Sequence, residues 1–142
     1  MKAFTPYFNF PGTTEEAFNF YKSILGGDFI SVMRFKEFEH ADKLPESDIE
    51  KIMHISLRTE NGAILMATDV LESMGQKYKA GNNFYINIET ESKEEADRIF
   101  NKLSEGGKVE MQMQDTFWGA YFGMFADRYG IQWMINFEKQ NN

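Results

Sequence analysis

The feature that most limits what this chain can fold into is a half-length pattern that occurs twice. Phe8-Asn9-Phe10, Thr13-Thr14-Glu15-Glu16-Ala17 and Gly26-Gly27 return in the same order as Ile86-Asn87-Ile88, Ser92-Lys93-Glu94-Glu95-Ala96 and Gly106-Gly107. The offset is 78 at the first feature, 79 at the second and 80 at the third. Two copies of one unit drift in this way through short loop insertions. A period this long, present twice, marks a duplicated half-domain and not a solenoid.

Each copy reads as strand, turn, helix and glycine stop. Pro6, Phe8 and Phe10 alternate with Tyr7 and Asn9, and Phe84, Ile86 and Ile88 alternate with Tyr85, Asn87 and Glu89. A period of two is that of a half-buried strand. Thr13 with Glu16, and Ser92 with Glu95, have the spacing of a capping box. Ala17, Phe20, Tyr21, Ile24 and Leu25 fall on one helix face, as do Ala96, Ile99, Phe100 and Leu103. The glycine pairs follow where a left-handed residue ends a helix.

After each helix the pattern turns to strands. The spacing predicts strands near 5–13, 29–36, 52–59 and 63–69, and again near 83–89, 108–114, 118–126 and 131–137. Asn61-Gly62 is a hairpin signal between two of them. In 52–59, Met53, Ile55 and Leu57 share one face and His54, Ser56 and Arg58 the other. In 108–114, Val109, Met111 and Met113 alternate with Glu110, Gln112 and Gln114. The helix-facing side should carry Phe8, Phe10, Ile55, Leu57, Ile86, Ile88, Trp133 and Ile135. The expectation is an α+β fold of two tandem βαβββ modules, 1–70 and 83–142, within one domain 1–142. Their curved mixed sheets would line a cleft, with helices on the outer side.

Composition narrows the partners. With 42% hydrophobic and 15% aromatic residues the chain can build a sizeable core. A net charge of −7 and a pI near 4.9 argue against a nucleic-acid partner, which needs a basic face. Glu37, Glu39, Asp42, Glu46, Asp48 and Glu50 concentrate acidity in 37–51, which reads as a solvated loop. No cysteine is present, so neither disulfides nor thiol chemistry arise. No secretory apolar region opens the chain and no apolar run nears the ~20 residues that span a bilayer. A cytoplasmic protein without a membrane partner is expected.

The stretches Pro6-Tyr7-Phe8-Asn9-Phe10, Glu15-Glu16-Ala17-Phe18-Asn19-Phe20-Tyr21 and Leu25-Gly26-Gly27 carry a resemblance. So do Trp118-Gly119-Ala120-Tyr121-Phe122-Gly123, Asp127-Arg128-Tyr129-Gly130 and Trp133-Met134-Ile135. Over nearly its whole length the chain resembles the vicinal oxygen chelate superfamily of glyoxalases, extradiol dioxygenases and bleomycin-resistance proteins, and within it the PhnB-like branch. That branch often carries the label of a 3-demethylubiquinone methyltransferase domain, yet no cofactor-binding glycine loop follows a strand here. In metal-dependent relatives the ligands come from the first and last strands of each module. The resemblance places those positions at Thr5 or Tyr7, Met66, Asn83 or Tyr85, and Met134. None is His, Asp or Glu, the usual donors for Zn, Fe or Mn. The resemblance therefore implies a fold without the metal site, and no cofactor is expected.

Candidate binding residues follow from strand faces. His54 lies beside Ser56 and Arg58, either as a cleft contact and weak candidate for catalysis or as a hydrogen-bonded sheet histidine. His40 sits in the acidic loop and reads as exposed. Arg58 has the fork that suits a carboxylate or phosphate, or a neighbouring acid. Tyr7 and Asn9 match Tyr85 and Asn87 as polar pairs, for a wet cleft or a seam between modules. Trp118, Phe122 and Met124 fall on one strand face, as a stacking wall or an interface between chains. Met66 and Met134 hold the ligand-equivalent positions and suit an apolar pocket, whereas Met113 reads as core.

The leading function is a metal-free protein that binds a small, partly apolar or aromatic molecule. The alternatives are a metal-dependent or His-based lyase or dioxygenase-type enzyme, and a purely interacting protein. A homodimer is expected, because Phe4, Phe29, Phe35, Phe117, Trp118 and Phe122 exceed what two short helices can cover and sheet edges need pairing.

Overall fold

The computed structural model of the protein describes residues 1–139. The chain forms two compact units, Met1–Lys79 and Ala80–Asn142. Unit one runs β1 (Tyr7–Phe10), α1 (Thr14–Leu25), β2 (Asp28–Arg34), β3 (Ile52–Arg58) and β4 (Ile64–Asp69). Unit two runs β5 (Ile86–Glu89), α2 (Lys93–Leu103), β6 (Lys108–Asp115), β7 (Ala120–Ala126) and β8 (Gln132–Glu138). The sheets are ordered β1-β4-β3-β2 and β5-β8-β7-β6. In each, the first strand pairs parallel to the last, and the other pairs are antiparallel. The expected α+β fold of two βαβββ modules is what forms.

One face of each sheet is buried beneath its helix. Phe8, Phe10, Ile55 and Leu57 are buried in unit one, as are Trp133 and Ile135 in unit two, while Ile86 and Ile88 are half-buried. Phe8, Phe18 and Tyr21 meet edge-on, with centroids 5.6–6.2 Å apart. This geometry puts ring edges on ring faces and adds to the area buried. The stripe of α1 differs from the expected one. It is Thr14, Ala17, Phe18, Tyr21 and Ile24, and Phe20 and Leu25 are only half-buried. Starting the stripe one turn earlier turns the face toward Phe18. The stripe of α2 is Ala96, Ile99, Phe100 and Leu103, as the spacing predicts.

The two helix starts are capped differently. Ser92 Oγ accepts from the Glu95 amide at 3.0 Å, but the Glu95 carboxylate accepts from the Glu91 amide, one residue before the cap. Thr13 makes no side-chain cap at all. Instead buried Asp69, at the end of β4, accepts from the Thr14 amide at 3.0 Å and from the Ile52 amide at 2.8 Å. A tertiary carboxylate thus replaces the local box and ties α1, β3 and β4 together. The second copy has Phe137 in the equivalent place, so its helix must cap itself.

The acidic segment is also less solvated than its composition suggests. It holds two 3-10 turns, Phe35–Glu37 and Ala41–Lys43. Asp48 is buried and accepts from Lys51 Nζ at 2.8 Å and Ser73 Oγ at 2.6 Å. Phe35 is buried within unit one, so it leaves the set offered for an interface. Phe29 and Phe122 are half-buried, while Phe4 is 88% and Phe117 98% exposed.

Strand pairing corrects the internal repeat. A side chain on Gly27 would land on the Arg58 carbonyl, and one on Gly107 on the Ala126 carbonyl, so β3–β4 and β7–β8 correspond at an offset of 68. Met66 and Met134 are then equivalent. Met66 is paired with Tyr7, but Met134 is paired with Asn87, an offset of 80 and not 78. Tyr7 therefore corresponds to Asn87 and Asn9 to Glu89, and the apparent match of Tyr7-x-Asn9 with Tyr85-x-Asn87 is out of register by two. A two-residue shift keeps side chains on the same face, which is why the apolar pattern did not reveal it.

Candidate functional site

The face of each sheet opposite its helix is not closed by core side chains. Cross-strand partners share a face, so the pairing register gives the rows across it. In unit one, one row runs Tyr7, Met66, Ser56, Ser31. In unit two, the equivalent row runs Asn87, Met134, Met124, Met111. Three hydroxyls and one thioether in the first correspond to three thioethers and one carboxamide in the second.

In unit one the polar groups converge on β3. The Tyr7 hydroxyl and His54 Nδ1 are 3.0 Å apart, and the rings lie 5.7 Å apart. Burial pushes the Tyr7 phenol above its ordinary value, so it stays a donor. In the tautomer of His54 that carries its proton on Nε2, the phenol donates to Nδ1. His54, Ser56 and Arg58 alternate along β3 and point to this same face. Ser56 is buried, and its Oγ has no hydrogen-bond partner. Arg58 is exposed, and neither its guanidinium nor the Asn9 carboxamide has a side-chain partner among the described residues. The cross-strand neighbour of Arg58 is Asp28, yet no ion pair forms between them.

In unit two the polar groups are already paired. Tyr85, just before β5, donates to Glu110 at 2.6 Å, which holds the phenol above its ordinary value. Asn87 donates to Glu89 at 2.8 Å, and Asn136 donates to both oxygens of Glu89 at 3.1 and 2.8 Å. What remains open is apolar: Met134, Met124 and Met111 in a row, with Phe122 beside them. Trp118 sits in the turn before β7 and not in the strand as expected, so its contact with Phe122 is made from outside the sheet, at 6.0 Å between centroids. Phe117 packs edge-on against Trp118 at 5.0 Å.

Sequence reasoning missed Ser31 and Met111 as members of these rows. Ser56 was placed on the right face beside His54 and Arg58, but its burial and unmet hydroxyl carry no sequence signal. Met111 was placed with Met113, but irregularities in β6 between Val109 and Met111 and again between Met111 and Gln114 separate them. A bulge of this kind re-aims side chains. Met113 meets the space above Gly123 together with Phe100, on the helix side, and is half-buried there.

Pairing re-registers the metal-equivalent positions that the family resemblance implies. Met66 lies beside Tyr7 and Met134 beside Asn87, so Tyr7 corresponds to Asn87 and Thr5 to Tyr85. A phenol, a carboxamide and two thioethers do not fit Zn, Fe or Mn, which take imidazole and carboxylate. Among the described residues no group of three or more His, Cys, Asp or Glu side chains could hold a metal ion. Likewise no helix there is long and apolar enough to cross a membrane.

Comparison with known proteins agrees with the folded geometry. The profile of the 3-demethylubiquinone-9 3-methyltransferase family matches residues 2–136. Protein YjdN of Escherichia coli K12 is 31% identical over 96% of this chain and 95% of its own length. The crystal structure of PA1353 from Pseudomonas aeruginosa superposes with a TM-score of 0.86 at 37% identity, over 99% of this chain and 100% of that one. A putative 3-demethylubiquinone-9 3-methyltransferase, PhnB protein, from Bacillus cereus gives 0.78 at 25%, over 96% and 99%. A glyoxalase/bleomycin resistance/dioxygenase family enzyme from Burkholderia phytofirmans shares the fold at 14% identity, with a TM-score of 0.64 over 95% of this chain and 97% of that one. The chain belongs to the 3-demethylubiquinone-9 3-methyltransferase family, the PhnB-like branch of the vicinal oxygen chelate fold.

Proposed function

We propose that the protein binds a small molecule, partly apolar or aromatic and bearing a polar group, on the open sheet face of one of its units and without a metal ion. The observation that carries this reading is what each open face offers, taken unit by unit. Tyr7, His54, Ser56 and Arg58 present hydrogen-bonding groups in unit one, whereas Met134, Met124, Met111 and Phe122 present adaptable apolar surface in unit two. Ligand sites are typically apolar surfaces with a few oriented polar groups, and thioethers fit varied shapes. Asn9 and Met66 extend the polar and apolar sets of unit one. Tyr85 and Asn87 act as supports, since their own partners hold them. Metal analysis of protein purified without chelators tests the reading. Substoichiometric traces of transition metal are expected, and one tightly held equivalent of Ni, Zn, Fe or Mn would overturn it in favour of a metal-dependent lyase or dioxygenase.

A second reading rests on the Tyr7–His54 pair. An imidazole positioned by a phenol can act as a general base, which makes a metal-free enzyme the alternative. Its test is turnover by a His54→Ala variant: a loss of at least about 100-fold is expected of a general base, and unchanged turnover removes the idea.

A further inference from the structure

The open face of unit one carries an imbalance that the unit does not resolve internally. Its donors are in excess. The Ser56 hydroxyl is 97% buried on the residue scale and meets no acceptor. A buried hydroxyl without a partner is rare; among the described residues Thr14 Oγ1 shares this state under the helix, and Ser56 is the one on the open face. Two residues along β3 on one side stands Arg58, whose guanidinium has no partner among the described residues; two residues on the other side stands His54, whose Nδ1 is taken by Tyr7. Alternate residues of a strand are about 6.6 Å apart, so a group lying over Ser56 reaches toward both neighbours. The one carboxylate in these rows, Asp28, sits at the edge beside Arg58 and does not engage it.

From this geometry we infer that the open face of unit one recognises a small oxyanion, a carboxylate or phosphoryl group, held by Arg58 and His54 with the Ser56 hydroxyl as a third donor. A guanidinium offers two parallel N–H groups to such an anion, the imidazole offers Nε2–H, and Ser56 supplies the donor that the fold leaves unmet. The row neighbours of Ser56 are Met66 and Ser31. A thioether chain turns on three bonds, and turning Met66 aside is the movement by which the inferred anion would reach the hydroxyl. This rests on the binding role proposed above and narrows it to an acidic ligand.

The test is a titration of isotope-labelled protein with benzoate, phenylphosphonate and neutral benzyl alcohol, followed by NMR. Benzoate or phenylphosphonate is expected to shift the Arg58 side-chain and His54 ring signals, with benzyl alcohol at least tenfold weaker. Whichever anion binds more tightly assigns the carboxylate or the phosphoryl class. Arg58→Gln should weaken the anion tenfold or more, while Lys36→Gln, an equal charge change outside this face, leaves it unaltered. Ser56→Ala separates binding from structure: it should weaken the anion several-fold while the unliganded protein melts no lower. Equal binding of all three probes would sink the oxyanion inference but leave small-molecule binding standing. Anion shifts confined to other surfaces, or unchanged affinity in Arg58→Gln, would also sink it.

Discussion

Two buried carboxylates do structural work that charge counting hid. Asp69 satisfies amides at the start of α1 and of β3. Replacing it by Asn swaps an acceptor oxygen for a donor facing an amide, and hydrogen bonds to charged groups contribute roughly 1.5–3 kcal/mol each. We expect Asp69→Asn to lose about 2–4 kcal/mol in chemical denaturation; a loss below about 0.5 kcal/mol would mean that water caps α1 instead. Asp48 fixes the 37–51 segment to the turn after β4, and its bonds to Lys51 and then Ser73 hold its carboxyl below the usual range. A lowered folded pKa means that this stabilisation is complete above the ordinary Asp value, near 4, and fades as pH falls from there through the folded value. Amide exchange across 37–51 should therefore accelerate as pH drops below about 4, relative to the same segment in Asp48→Asn. Equal pH profiles in the two proteins would refute the role. Neither carboxylate's tertiary role could be read from sequence, because Asp69 caps amides 55 and 17 residues away and Asp48 reaches Ser73, 25 residues on.

Among the elements, legibility followed periodicity. Every strand and both helices were readable, since their apolar patterns are enforced by burial. The failures occur where the pattern gives no signal. The two-residue slip between the copies preserves faces, the irregularities in β6 exchange them, and the loss of a local cap at Thr13 is decided by Asp69. Consequently the candidate site was partly readable. His54, Ser56, Arg58, Met66 and Met134 were placed on the correct face, whereas the unmet hydroxyl of Ser56 and the position of Met111 became visible only in the folded chain. The glycine stops were read for their conformation, yet at Gly27 and Gly107 close packing against the β3 and β7 carbonyls is the stronger constraint. Gly27→Ala and Gly107→Ala should each cost roughly 3 kcal/mol or more, as backbone clashes do. Thermal melts within a few degrees of the parent would show that these turns can relax.

For the whole molecule, two expectations concern association and binding. Phe4, Phe84, Phe117 and Trp118 remain more than half exposed, and large exposed aromatic side chains favour contact with another surface. We expect a two-fold homodimer, so sedimentation at high micromolar concentration should return twice the chain mass of 16.5 kDa. A species at the single-chain mass would leave these rings as ligand or solvent contacts. The central claim is metal-independent recognition of a small molecule, and a thermal-shift screen over a broad metabolite set in the presence of EDTA addresses it most directly. A ligand that binds only the folded state raises the melting temperature in proportion to its occupancy. The expected result is a concentration-dependent rise that persists in EDTA and is largely lost in the Arg58→Gln and His54→Ala proteins. A screen that stays silent, or a rise that appears only when a divalent metal is restored, would contradict it.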